Sequence, residues 1–94
     1  MTEVRAGVDA VDRQILALLG TRFRFMDAAA RIKPERGQVR DEGRKADVLA
    51  KVAAHAGAHD VPAVVAADLY ERLIEASIAY ELERFDDLAG RSVG

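Results

Sequence analysis

RFRFMDAAARIK, residues 22–33, is the stretch whose reading decides the fold. It is the second half of an apolar-periodic run that begins near Glu3, along which Val4, Val8, Val11, Ile15, Leu18, Leu19 and Met26 recur at helical intervals. RFRF alternates over too few positions to outweigh that helical pattern. Each residue of an α-helix turns by about 100°, so Arg22 and Lys33 return to nearly one face, about 16 Å apart along the axis. Met26, Ala29 and Ala30 lie between them, and the alanines leave a shallow floor over which two long cations can lean. Such a face is a seat for a small dianion.

The ends of this helix are less uniform. Thr2, followed by Glu3, is a candidate N-cap. Gly20-Thr21 reads locally either as a stop with a new cap or as a helix interior, because Gly costs only about 1 kcal/mol against Ala there. Pro34 is the firm stop, since it disfavours helical geometry at Lys33. Pro34 and Gly37 mark residues 34–40 as a solvent-exposed loop. Asp41 opens a second helix, about 41–57, with Val48, Leu49 and Val52 on its apolar stripe. Asp60 is a candidate N-cap for a third, about 61–88, with Pro62 in its first turn. Along it Val65, Leu69, Leu73, Ile74, Ile78 and Leu82 keep the period, and the tail AGRSVG is expected to fray. The chain therefore reads as one all-α domain, residues 1–94, of three helices with a long first helix. An unbroken first helix of about 31 residues would reach about 46 Å, beyond the diameter of a compact domain this small. It buries its stripe most easily against a second copy, which predicts an intertwined helical homodimer.

Composition narrows the function classes. Hydrophobic residues are 50% and charged residues 32%, with neither Trp nor Cys, which suits packed helices and leaves no disulfide or thiolate metal site. The net charge of −2 argues against a nucleic-acid partner. No run approaches the length of a membrane span, and the first residues lack the apolar core of a secretory signal, so neither a membrane partner nor export is expected and the location reads as cytoplasmic. His55 and His59 are four apart but flank Gly57 near a helix end, and they read as an exposed pair rather than a metal site. Phe23 and Phe25 cannot both face one core, and one of them is expected to meet the dimer partner. Arg31 and Arg36 read as solvated charges beside the loop.

Four pieces in order, VRAGVDAVDRQILALLGTRF, AAARIK, VRDEGRKADVL and LIEASIAYELERF, resemble the small all-helical chorismate mutases, a family that includes isochorismate pyruvate-lyases. The resemblance runs from about Val4 to Phe85. It implies a continuous first helix, an interlocked homodimer with two sites, and no cofactor or metal. It also implies roles. Arg5 looks like the arginine lent by the partner subunit; Arg22 resembles the one that grips a substrate carboxylate in its own chain. Lys33 resembles the lysine that reaches the other carboxylate and the ether oxygen. Asp41, Arg44 and Lys45 fall at positions by the pocket, as do Ser77 and Glu81, which share a face of the third helix. Taken without the resemblance, Arg5, Arg22 and Lys33 are ordinary solvated charges, and Glu81 is a solvated carboxylate beside Arg84.

Rearrangement of chorismate to prephenate breaks a C–O bond and forms a C–C bond in one pericyclic step, so it needs no nucleophile or cofactor. It needs a compact conformer and donors facing the charge that grows on the ether oxygen. Lys33 can donate; Glu81 can do so only when protonated, which predicts activity rising toward acidic pH and a flatter profile for Glu81→Gln. Lys45 departs from the resemblance, because typical mutases carry Glu there to accept from the ring hydroxyl, and lysine has no acceptor. The reading is thus a chorismate mutase acting on a dianionic small molecule, chorismate or isochorismate. The alternatives are an isochorismate pyruvate-lyase, which resembles the mutases but carries Gln at the Glu81 position, and a non-catalytic helical dimerisation or metabolite-binding module. Residues 34–40 would serve as a lid closing at Gly37.

Overall fold

The computed structural model describes residues 1–93. They form α1 (Thr2–Ile32), a short 3-10 helix (Arg36–Gln38), α2 (Glu42–Ala58) and α3 (Ala63–Val93), with no strand among the described residues.

α1 runs unbroken through Gly20. Thr21 does not cap a new helix because its hydroxyl turns back on its own, donating to the Ala17 carbonyl at 3.2 Å while accepting from Arg24 Nη2 at 3.0 Å. At the start, Thr2 is already the first helical residue; the cap is Met1, without a side-chain bond, so the expectation of a Thr2 cap is corrected. At the end, Lys33 is extended (φ −67°, ψ 128°), as the residue before a proline prefers.

The segment joining α1 to α2 is more ordered than a solvated loop. Glu35 and Gln38 cap its 3-10 turn reciprocally, and Val39 turns inward to 4% exposure, against the expectation that residues 34–40 lie wholly in solvent. Asp41 then caps α2, accepting from the Arg44 amide at 2.9 Å. Asp60 does not cap α3. It takes a left-handed conformation (φ 57°) in the turn after α2, a region Asp tolerates, and the Pro62 carbonyl starts the α3 ladder by accepting from Ala66 N at 3.0 Å. α3 continues through Ala89 and Gly90 to Val93, where a fraying tail is expected from sequence; Gly94 lies outside the described residues.

α3 is the central element. It packs on α1 along one flank and on α2 along the other, whereas α1 and α2 do not pack on each other among the described residues. The core is narrow: Ala30, Ala56, Ala66 and Ile74 are buried together with Val39. Phe23 meets Tyr80 edge to face at 4.9 Å, and Tyr80 donates to Asp27 Oδ1 at 2.8 Å, fastening α1 to α3. Phe25 points away, 67% exposed. The first half of α1 projects beyond this core, with Val4, Val8, Val11 and Ile15 all exposed. The radius of gyration is accordingly 16.4 Å, against about 12 Å for a compact chain of this length. None of the described helices is long and apolar enough to cross a membrane.

Candidate active site

Because α1 and α2 both lean on α3 but not on each other, a gap opens between them. It is a cleft of about 360 Å³, with Ile74, Ser77, Ile78 and Glu81 of α3 as its floor. Arg22, Met26, Ala29 and Lys33 form the α1 wall, as the single-face reading of residues 22–33 requires. Asp41, Arg44 and Lys45 stand on the α2 side, and Val39 closes the linker end.

Each α1 cation is held from the floor. Arg22 Nη1 donates to Ser77 Oγ at 2.6 Å, and Ser77 in turn donates to the Leu73 carbonyl at 2.6 Å. The buried serine hydroxyl is thereby occupied in both directions and sets where the guanidinium sits, with the Tyr70 ring 6.0 Å from its carbon. Lys33 donates to Glu81 Oε2 at 2.7 Å. The Glu81 side chain is 6% exposed and that of Lys33 29%, so Glu81 is buried beneath a half-buried lysine rather than set on a solvated helix face. Arg84, the neighbour expected for a surface Glu81, pairs instead with Asp27 at 2.9 Å. Tyr80 first, and Arg84 after it, holds the Asp27 carboxyl below its ordinary range.

The α2 side is organised differently. Asp41 spends one carboxylate oxygen as the helix cap, and Arg44 pairs with Asp47 on the next turn. Asp47 is pulled below its ordinary value by Lys51 and then by Arg44. Lys45 bridges to α3, donating to Glu71 Oε1 at 2.6 Å and Glu75 Oε2 at 2.9 Å. Arg40 grips the same Glu75 at 2.7 and 3.2 Å. Arg40 first and Lys45 second hold the Glu75 carboxyl down at about 2.

Seven of the eight site residues expected from sequence thus line one cleft. Arg5 stands apart, exposed near the start of α1, 17 residues and so about 25 Å along the helix from Arg22. Sequence reasoning did not find Val39, Ile74, Val48 or Ile78 as lining, nor the Glu71 and Glu75 tether. The apolar stripes of α2 and α3 contained the last three liners; Val39, in an apparent loop, carried no such signal. His55 and His59 lie elsewhere, along an apolar groove near the end of α2, and no group of metal-holding side chains occurs among the described residues.

Of the four cations that line the cleft, Lys33 is paired with Glu81, Arg44 with Asp47, and Lys45 with Glu71 and Glu75, whereas Arg22 bonds to the neutral Ser77 hydroxyl. Arg22 is therefore the cation most open to an anion, in a cleft within the size range of small-ligand sites. The family model for chorismate mutase type II matches residues 4–82, which includes every residue of this cleft. Comparison with curated proteins gives no match.

Proposed function

This chain belongs to the type II chorismate mutase family, and we propose that it catalyses the rearrangement of chorismate to prephenate in the cleft between α1 and α2. The observation that carries the reading is Lys33, held by the buried Glu81, on one wall with Arg22, which is bonded to the neutral Ser77 hydroxyl. Arg22, already fixed by Ser77 through one nitrogen, keeps the rest of its planar fork for a substrate carboxylate. Arg44 and Lys33 serve the second carboxylate, which draws the side chain over the ring into the reacting conformer. Lys33 also donates to the ether oxygen as its negative charge grows.

Glu81 positions that donor. As a carboxylate it only accepts, and at 2.7 Å it holds Lys33 from the cleft floor, competing with substrate for it. Glu81→Gln removes that competing charge and supplies an N–H that can donate to the ether oxygen, so kcat/KM is expected to rise. A kcat/KM unchanged by the substitution removes Glu81 from the mechanism.

The site is completed by a second copy. The exposed stripe of α1 and an adjoining groove lined by Ile15, Leu18, Leu19, Leu69 and Leu73 offer a continuous apolar face beside Arg22. An antiparallel α1 laid along it brings Arg5 of the partner subunit to the cleft mouth. The reading is tested by giving the purified protein chorismate and, separately, isochorismate, and resolving prephenate, pyruvate and salicylate. Prephenate from chorismate, lost in Arg22→Ala, is the expected result. Pyruvate and salicylate from isochorismate alone make the chain a lyase, and no product from either leaves a binding module.

A further inference from the structure

A second cavity opens where α1 ends against the far part of α3. It is an open groove of about 620 Å³, within the size range of small-ligand sites. Ala30, Pro34, Phe85, Leu88 and Ala89 give it an apolar lining, and its charged lining residues are Arg31 and Lys33, with no carboxylate among them. Ala29 lines the cleft and Ala30 the groove, so the last turn of α1 is the wall between them, and Lys33 lines both. The carboxylates nearest in sequence are already occupied. Asp86, next to Phe85, accepts from Arg36 at 2.9 and 3.3 Å, and Asp27, one turn before Arg31, accepts from Tyr80 and Arg84 at 2.8 and 2.9 Å. Arg31 is exposed and makes no ion pair or side-chain hydrogen bond among the described residues. Lys33 gives one of its three N–H donors to Glu81 at 2.7 Å and has two more to offer.

Two cations over an apolar floor complement an anion with an apolar body. The end of α1 brings the partial negative charge of its last carbonyls to the same place, which one carboxylate tolerates better than two. A planar guanidinium also stacks on an aromatic face. We propose that this groove is a second binding site, for a small molecule with one carboxylate and one aromatic ring, the carboxylate held between Arg31 and Lys33 and the ring laid against Phe85 and Leu88. Because Lys33 serves both cavities, a ligand in the groove draws it from the cleft, and occupation of either site weakens the other by the same factor. Binding in the groove stands apart from the reading of the cleft as a chorismate site; its effect on turnover rests on that reading.

Phenylacetate is the probe, with its binding to the full chain followed through amide chemical shifts. Wild type binds it saturably, with shifts at Arg31, Phe85 and Ala89. Arg31→Ala, a change to an exposed side chain, weakens binding by at least about fivefold, whereas Arg22→Ala, which strips the cleft of its own anion contact, leaves it within about twofold. Glu81→Gln, which removes the carboxylate that competes for Lys33, tightens binding by about threefold or more. With chorismate as substrate, saturating phenylacetate raises the KM of wild type by about threefold or more, and at the same concentration leaves that of Arg31→Ala unchanged. Binding that is lost in Arg22→Ala and unchanged in Arg31→Ala puts the probe in the cleft and overturns the proposal, as does a wild type that binds none. Binding that follows Arg31 but is indifferent to Glu81→Gln, with KM unmoved, overturns the shared lysine. A chain that binds phenylacetate as stated and turns over no chorismate overturns the proposed function and leaves this site standing.

Discussion

The two halves of α1 carry the same apolar period and meet opposite fates. From Arg22 onward the helix is fastened to α3 by Arg22 on Ser77, Phe23 on Tyr80, Asp27 on Tyr80 and Arg84, and Lys33 on Glu81. Before Leu18 it has no such fastening: Val4, Val8, Val11 and Ile15 remain between 48% and 59% exposed. A stripe of that regularity is costly to leave in water, about 25 cal/mol per Å² of apolar surface. The contrast teaches that periodicity states only that a face will be buried, while the partner is set by chain length and topology. α3 reaches one half of α1 and leaves the other exposed, the half that the proposed dimer would cover.

That contrast can be broken from either end. The largest effect is expected from Val8→Asp, which on the proposed isologous interface places an unpaired carboxylate twice. At about 3–5 kcal/mol for each such uncompensated charge, it raises the dimer dissociation constant by at least about 10³-fold, measured by sedimentation equilibrium. Secondary structure would be retained, because Val8 touches little in its own chain. Unchanged association would mean that this half of α1 has some other fate. In the fastened half, Arg22→Ala is expected to lower kcat/KM by about 10²–10³-fold with the dimer intact. Ser77→Ala is milder, about tenfold and mainly in KM, because Arg22 keeps its charge and loses only the hydroxyl that orients it. At the boundary between the halves, a Cβ on Gly20 would meet only Arg24 Nη1 at 3.8 Å, so Gly20→Ala is expected to stabilise by about 1 kcal/mol in denaturant unfolding.

The smallest effect concerns the α2 tether. Glu75 is held at about 2 by Arg40 and then Lys45, below its value in the unfolded chain. A depressed carboxyl stabilises the fold above its unfolded pKa, and that contribution drains as pH falls from the ordinary carboxylate range toward about 2. Glu75→Gln should therefore lower the melting temperature slightly at neutral pH and reduce its slope in acid, and a parallel slope would show that the tether is not worth its charges.

Much of this architecture was legible in sequence, for reasons that also mark where legibility stopped. The apolar period and Pro34 delimit α1 because both act locally, and the spacing of Arg22 and Lys33 places them on one face by geometry alone. Gly20-Thr21 was undecidable from local rules, since the outcome turned on whether the Thr21 hydroxyl would cap a new helix or bond back to Ala17. Thr2 and Asp60 look like caps by type, but capping depends on backbone angles that composition does not reveal, and Asp60 instead takes the turn. The partners of the charged residues lay furthest from view. Lys33 finds Glu81 across 48 residues, and Lys45 finds Glu71 and Glu75 across 26 and 30, distances over which no periodicity reports. Likewise Val39, isolated among polar neighbours, shows its inward turn only once the linker is folded over the cleft.

In the proposed dimer one α1 serves two sites, its second half in its own chain and Arg5 in the partner's, and subunit mixing distinguishes this arrangement from a site built within one chain. Arg5→Ala and Arg22→Ala, each inactive alone, would be unfolded together, refolded and assayed with chorismate. Random pairing makes half of the dimers mixed, each with one site that has both arginines, so activity should return to about a quarter of wild type. A mixture as inactive as its components would contradict this arrangement, placing Arg5 and Arg22 in service of the same chain's site.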